Sequence, residues 1–134
     1  MFTTIALEEF STIIELFEKD NGKKVEVRTN MGRLFITGEE SELMLRFNTH
    51  TKRITIARIL FKHTRIGYGT YLLSELKQYG KTNGYDSILI ESLMTKEAYQ
   101  FATKHGFQFI GDPTFTIDSE LFFYGDYKLD ITNI

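Results

Sequence analysis

Ile59-Leu60-Phe61-Lys62-His63-Thr64-Arg65-Ile66-Gly67-Tyr68-Gly69-Thr70-Tyr71-Leu72-Leu73 decides the fold. The stretch opens as an apolar, β-like run and passes through a basic loop and a Gly-x-Gly. It continues as the start of an amphipathic helix. The first backbone N–H groups of a helix have no partner inside it, so a glycine loop feeding a helix is a ready anion site. Lys62, His63 and Arg65 add positive charge beside it. Some thirty residues on, Ala98-Tyr99-Gln100-Phe101-Ala102-Thr103-Lys104-His105-Gly106-Phe107 reads as a short helix that stops at Gly-Phe and passes into another strand.

Toward the N-terminus, residues 2–5 read as a short strand and residues 7–18 as a helix. Phe10, Ile13, Ile14 and Phe17 recur on one helical face, and Asp20-Asn21-Gly22 is a stop signal. Strands are expected over 24–29, 33–37, 41–48 and 53–61, joined by links short enough for antiparallel hairpins. Beyond Thr64 the period changes. A helix is expected from Tyr68 to about Tyr79, a buried strand over 87–92, a helix over 96–105, a strand over 107–110 and a last strand over 120–130. Strand–helix–strand units imply parallel or mixed pairing with right-handed crossovers. The fold class is therefore α+β, a mixed α/β sandwich. Antiparallel N-terminal strands are followed by a βαβαβ half around one mixed sheet, in a single domain over residues 1–134.

Composition narrows the function. The chain has 134 residues, 42% of them apolar, with twelve Phe and seven Tyr, which is material for one packed core. It has no cysteine, so disulfides, thiolate nucleophiles and cysteine metal sites are excluded. No His/Asp/Glu cluster has metal-ligand spacing, and no metal is expected. A net charge of −2 gives no general pull toward nucleic acid or anionic membrane. No apolar run approaches a membrane span, and no basic leader precedes an apolar stretch, so a cytoplasmic location is the expectation.

Together the order, spacing and motifs resemble the GNAT superfamily of acyl-CoA-dependent N-acyltransferases, best from about Arg53 to Phe107. The family's loop motif is Gln or Arg, two residues, Gly, one residue, then Gly or Ala. Gly67 and Gly69 take the small positions, and Thr64 stands at the Gln/Arg position with Arg65 one place later. In the second motif, Thr95 stands at an Asn position, and Ala98, Gly106 and Phe107 match. Ala102 occupies the place of the tyrosine that commonly reprotonates the leaving CoA thiolate.

The resemblance implies an N-acyltransferase, with acetyl-CoA or another acyl-CoA as co-substrate and an amine as acceptor. It implies CoA diphosphate on the amides of Arg65, Ile66, Gly67, Tyr68, Gly69 and Thr70, with Thr64 alongside. It implies further CoA contacts from Ile59, Leu60 and Phe61 before the loop and from Thr95, Ala98 and Phe101 after it. The protein is expected as a monomer or homodimer.

For chemistry, Glu91 is the candidate general base, and Ser92 a candidate hydrogen bond to the acyl carbonyl. Tyr99, Tyr124 and Tyr127 are candidate substitutes for the missing phenol. Each has a bland alternative: a charge or hydroxyl at a sheet end, or an aromatic used in packing. A Rossmann dinucleotide site fits poorly, because Leu72 occupies the third glycine position. The rival reading is a GNAT-like CoA-binding or protein-interaction module with little or no catalysis.

Overall fold

The structure is a computed structural model that describes residues 5–93, 95–111 and 125–132. A 3₁₀ turn, Leu7–Phe10, runs into helix α1, Ser11–Asn21. Four strands follow: β1 Glu26–Asn30, β2 Arg33–Thr37, β3 Glu42–Asn48 and β4 Arg53–Leu60. Then come α2 Tyr68–Thr82, β5 Ser87–Leu93, α3 Lys96–Lys104, β6 Gln108–Phe109 and β7 Gly125–Asp130. They form one seven-stranded sheet in the order β1-β2-β3-β4-β5-β7-β6. The mixed α/β architecture expected from the sequence is the one observed. Residues 2–4 of the strand expected over 2–5 and the upstream part of the one expected over 120–130 lie outside the described residues, and Ile5 is not in a strand.

Among the described strands only β4 and β5 are parallel. The helix α2 bridges them, as a crossover between parallel neighbours requires. The last two strands cross over: β7 lies between β5 and β6 and is antiparallel to both.

Alternation along the strands builds the core. Leu34, Ile36, Leu43, Leu45, Phe47, Ile54, Ile56, Ile88 and Ile90 are buried on one face. Phe10, Ile13 and Phe17 of the N-terminal segment, and Leu72, Leu73 and Leu76 of α2, complete the same cluster. In α1 the buried face includes Leu16, and Ile14 is only half-buried. The helix also continues through Asp20 and Asn21 and ends at Gly22, whose φ of +83° is the left-handed cap that favours glycine. The extra turn carries two polar residues into buried positions, Asp20 and Asn21. Asn21 is satisfied there: its side chain donates to the Lys23 and Lys24 carbonyls and accepts from the Glu39 amide.

Two irregularities shape the middle of the sheet. Leu45 pairs with Ile56 but Met44 pairs with Arg58, so Ala57 is an extra residue on β4. Such a bulge bends its strand. The β4–β5 ladder stops at the Ile56–Ile90 pair, and residues 57–60 have no β5 partner. On the other side, the β5–β7 register shifts between Ile90 and Leu93, where Ser92 takes a positive φ of +55°. The two parallel strands therefore part in the middle of the sheet.

Candidate functional site

The parting of β4 and β5 lies next in the chain to the glycine loop. Residues 57–60 of β4 offer main-chain groups that no β5 residue takes. Ile59 and Leu60 are exposed there, and Ile66 and Tyr71 are exposed on the loop and on α2. Phe61 lies between this surface and the core, its ring stacked on Phe17 at 4.8 Å and 5.8 Å from Tyr68. Exposed aliphatic residues beside a strand edge left open toward β5 suit an extended ligand with alternating apolar and amide groups.

Gly67 is the N-cap of α2, with φ +88°, and no side chain caps the helix. The first intrahelical bond runs from the Tyr71 amide to the Gly67 carbonyl, at 2.9 Å. The amides before it face no helical acceptor, which is the arrangement that receives an anion. A Cβ built on Gly67 meets nothing within 4 Å, so the space beside it is open. A Cβ on Gly69 would stand 3.1 Å from the Phe101 ring. Gly69 therefore has a packing reason of its own: it lets α3 lie against the first turn of α2. Thr70 and His105 join the same two helices, Oγ1 to Nε2, at 3.3 Å. Burial, with Lys77 and Lys104 nearby, pushes the His105 pKa down. A cleft of about 430 Å³ lined by Thr12, Glu15, Leu16 and Lys19 of α1 and by Ile66, Gly67, Tyr68 and Tyr71 opens beside the loop.

The loop is held by a residue that sequence reading missed. Asp20, fully buried at the end of α1, accepts from the Lys62 amide at 2.8 Å and the His63 amide at 2.9 Å. It also accepts from the Ser41 hydroxyl and lies 3.0 Å from His63 Nδ1. Burial pushes its pKa up, but the hydrogen bonds from Ser41, His63 and Lys62 outweigh it and hold the carboxyl below its ordinary value. The available signal was an Asp in the last turn of an amphipathic helix, where a carboxylate opposes the helix dipole and so calls for another reason.

The three basic residues of the loop part company. His63 is engaged by Asp20, and Lys62 Nζ lies 3.7 Å from Glu40. Arg65 makes no ion pair among the described residues and sits at a left-handed φ of +62°, a conformation uncommon outside glycine.

In the second motif, Thr95 caps α3, its hydroxyl accepting from the Ala98 amide at 3.1 Å. Ala102 is fully buried, and its carbonyl accepts from the Phe107 amide at 2.9 Å. Tyr99 packs edge-on against buried Tyr127, with ring centroids 6.1 Å apart, and Tyr127 also meets Phe109 at 5.4 Å. Tyr124 lies outside the described residues. Glu91, first on β5 beyond the last β4 pair, is ion-paired to Arg46 and about a third exposed (34%). The exposed Ser92 donates its amide to Asp126 Oδ1 at 2.9 Å. Thus the loop, the free arm of β4 and the start of α2 are contiguous, whereas Thr95 and Ala102 serve the helix they belong to. Among the described residues no group of three His, Asp or Glu is placed to hold a metal, and no helix is long and apolar enough to cross a membrane.

No family model matches the sequence, and no curated protein does. Solved structures do match. An acetyltransferase of the GNAT family from Staphylococcus aureus Mu50 aligns over 94% of this chain and 92% of its own, with a TM-score of 0.56 at 14% identity. An aminoglycoside 6′-N-acetyltransferase complexed with coenzyme A aligns over 78% of this chain and 76% of its own, with a TM-score of 0.54 at 12% identity. Nourseothricin acetyltransferase aligns over 74% of this chain, with a TM-score of 0.55 at 15% identity, and the alignment spans 64% of that enzyme's length. With its sheet order, its parted parallel strands and its glycine-led helix, this chain has the fold of the GNAT acetyltransferases.

Proposed function

We propose that the protein is an acyl-CoA-dependent N-acyltransferase that moves an acetyl group from acetyl-CoA to an amine. The carrying observation is the parting of β4 and β5 beside the uncapped, glycine-led start of α2. The CoA diphosphate would take the amides from Arg65 to Thr70, with Arg65 as its charged partner. The pantetheine arm would lie along residues 57–60, against Ile59 and Leu60. A neutral amine nitrogen would attack the thioester carbonyl, the C–S bond would break, and the thiolate would leave. Positioning and a main-chain N–H on the carbonyl oxygen supply most of the acceleration in this reading.

The amine's proton has Glu91 within the same region as a base, reached as the Arg46 pair opens. The thiolate's proton would come from water or from Tyr99. A second reading has one specific observation in its favour. Ala102, at the family's tyrosine position, is fully buried, so no acid acts from there. On that reading the chain binds CoA and transfers slowly or not at all. General acid help is typically worth ~10²–10⁴ in rate, so transfer without it remains measurable. On composition we assign the protein to the cytoplasm.

Calorimetry with CoA and a thiol-release assay with acetyl-CoA and a panel of amines test the proposal together. The chain has no cysteine, so every thiol detected comes from CoA. Binding with amine-dependent thiol release is the expected result. Binding without release selects the second reading, and absence of CoA binding overturns both.

A further inference from the structure

The face of the sheet opposite the core carries a second cleft, of about 610 Å³. Thr55 and Leu89, both buried, lie in it. Three arginines line it from neighbouring strands: Arg33 on β2, Arg46 on β3 and Arg53 on β4. Arg33 stands directly opposite Arg46 in the β2–β3 register. Arg53 stands opposite Asn48, two residues along β3 from Arg46. Like charges directly across a strand pair are destabilising.

Among the described residues, Arg46 alone of the three has a carboxylate partner, Glu91. Nε of Arg33 and Nε of Arg53 are shielded from solvent and have no hydrogen-bond partner among the described residues. A shielded guanidinium N–H without an acceptor carries its full desolvation cost, and native structures normally satisfy such a group. Two of them in one cleft, next to a third arginine, mark the place of an anionic group. Carboxylate and phosphate both match the planar donor fork of arginine.

The same cleft includes Glu91 and Asp126. Glu91 is the residue at which β5 has left β4, so the cleft reaches the proposed reaction centre from the face away from the core. It therefore holds unsatisfied cationic donors together with two carboxylates. A ligand that complements both is an amine that also carries an acidic group.

We propose that Arg33 and Arg53 bind the carboxylate or phosphate of an acidic amine, the acceptor of the transfer, with its ammonium toward Glu91 and Asp126. The inference rests on the acyltransferase reading for the word acceptor. The anion site itself is tested without CoA.

The experiment follows the arginine Nε–Hε signals by NMR in the full chain, assigned with Arg33→Gln and Arg53→Gln. Three small amines of similar size are titrated: β-alanine, O-phosphoethanolamine and ethanolamine. The signals of Arg33 and Arg53 are expected to shift saturably with β-alanine or with O-phosphoethanolamine, and not with ethanolamine. Which of the two acidic amines acts decides between carboxylate and phosphate. Each single Gln variant is expected to weaken that binding about ten- to a hundredfold, the range of a charge-assisted hydrogen bond. The same variants should melt no lower than the parent, because a like-charge contact is relieved. Absence of a shift with either acidic amine, or equal shifts with ethanolamine, overturns the site. A separate CoA titration, read on the amides of residues 65–70, keeps the two ideas apart. If CoA fails to bind while the arginine signals move, the acyltransferase reading falls and the anion site stands.

Discussion

The helices α2 and α3 begin in opposite ways. The α3 start is complete within itself: Thr95 is extended, its hydroxyl takes the Ala98 amide, and Glu97 adds a carboxylate in the first turn. The α2 start has a left-handed glycine, no side-chain cap and no acid in its first turn. Both satisfy the same rule, that the first amides of a helix need an acceptor. One finds it in its own sequence. The other leaves it open, beside exposed apolar residues and a strand arm that has no β5 partner. Water can meet those amides, and in the proposed function the CoA diphosphate would replace it, so the contrast sets a self-capped helix start against an open one.

The sharpest way to break the contrast is to release the loop that aims α2. Asp20 receives two amides, a hydroxyl and an imidazole contact. Asp20→Ala should destabilise the protein by about 2–3 kcal/mol, because the buried Ser41 hydroxyl and the part-buried Lys62 and His63 amides lose their acceptor together. Urea unfolding measures this, and CoA affinity should fall with it. The acid dependence sharpens the assignment. A carboxyl held below its ordinary value stabilises fully above the unfolded carboxylate pKa of about 3.9. That contribution is lost as pH falls through the lower folded value. The urea midpoint of the parent should therefore drop more steeply below about pH 4 than that of Asp20→Asn. Parallel pH curves would remove Asp20 from this role.

Gly67→Val comes next. A β-branched residue at φ +88° is strained, at a cost of about 1–2 kcal/mol, and its side chain enters the open space beside the α2 amides. CoA affinity should fall at least tenfold in a variant that circular dichroism shows to be folded. Unchanged affinity would place the diphosphate elsewhere.

The smallest effects belong to the α3 cap and to the contact between α2 and α3. Thr95→Ala removes a cap and should cost about 1 kcal/mol in thermal or urea unfolding while CoA affinity stays within twofold or so. A large loss of CoA binding there would make the two helix starts functional partners. Gly69→Ala should change stability by less than about 1 kcal/mol, since the Phe101 ring has to yield only a few tenths of an ångström.

Some expectations were legible because they rest on consecutive residues. The strand expected over 33–37 is found with those bounds, and the start of α2 at Tyr68 is where the glycine loop put it. Ends were less legible. The helix α1 runs three residues past its expected end, because Asp20 and Asn21 find partners in distant loops rather than acting as a stop. Ala102, read by position in a motif, is a fully buried member of the core cluster. Tyr99 and Tyr127 are drawn together as packing rings.

By itself, then, the sequence determined what periods of two and 3.6 residues and a glycine-led helix start can carry. These are the elements, the crossover between β4 and β5, and the exposed loop that opens α2. Tertiary structure decided the rest: the insertion of β7 between β5 and β6, the parting at Ile56 and Ile90, and the clamp from Asp20 to residues 62 and 63. It also decided the gathering of three arginines on one face. Local pattern reports which face a residue takes and how a helix is capped, because those depend on neighbours in the chain. Which strand lies beside which, and which buried charge meets which donor, depends on packing between residues tens of positions apart, where no local period survives.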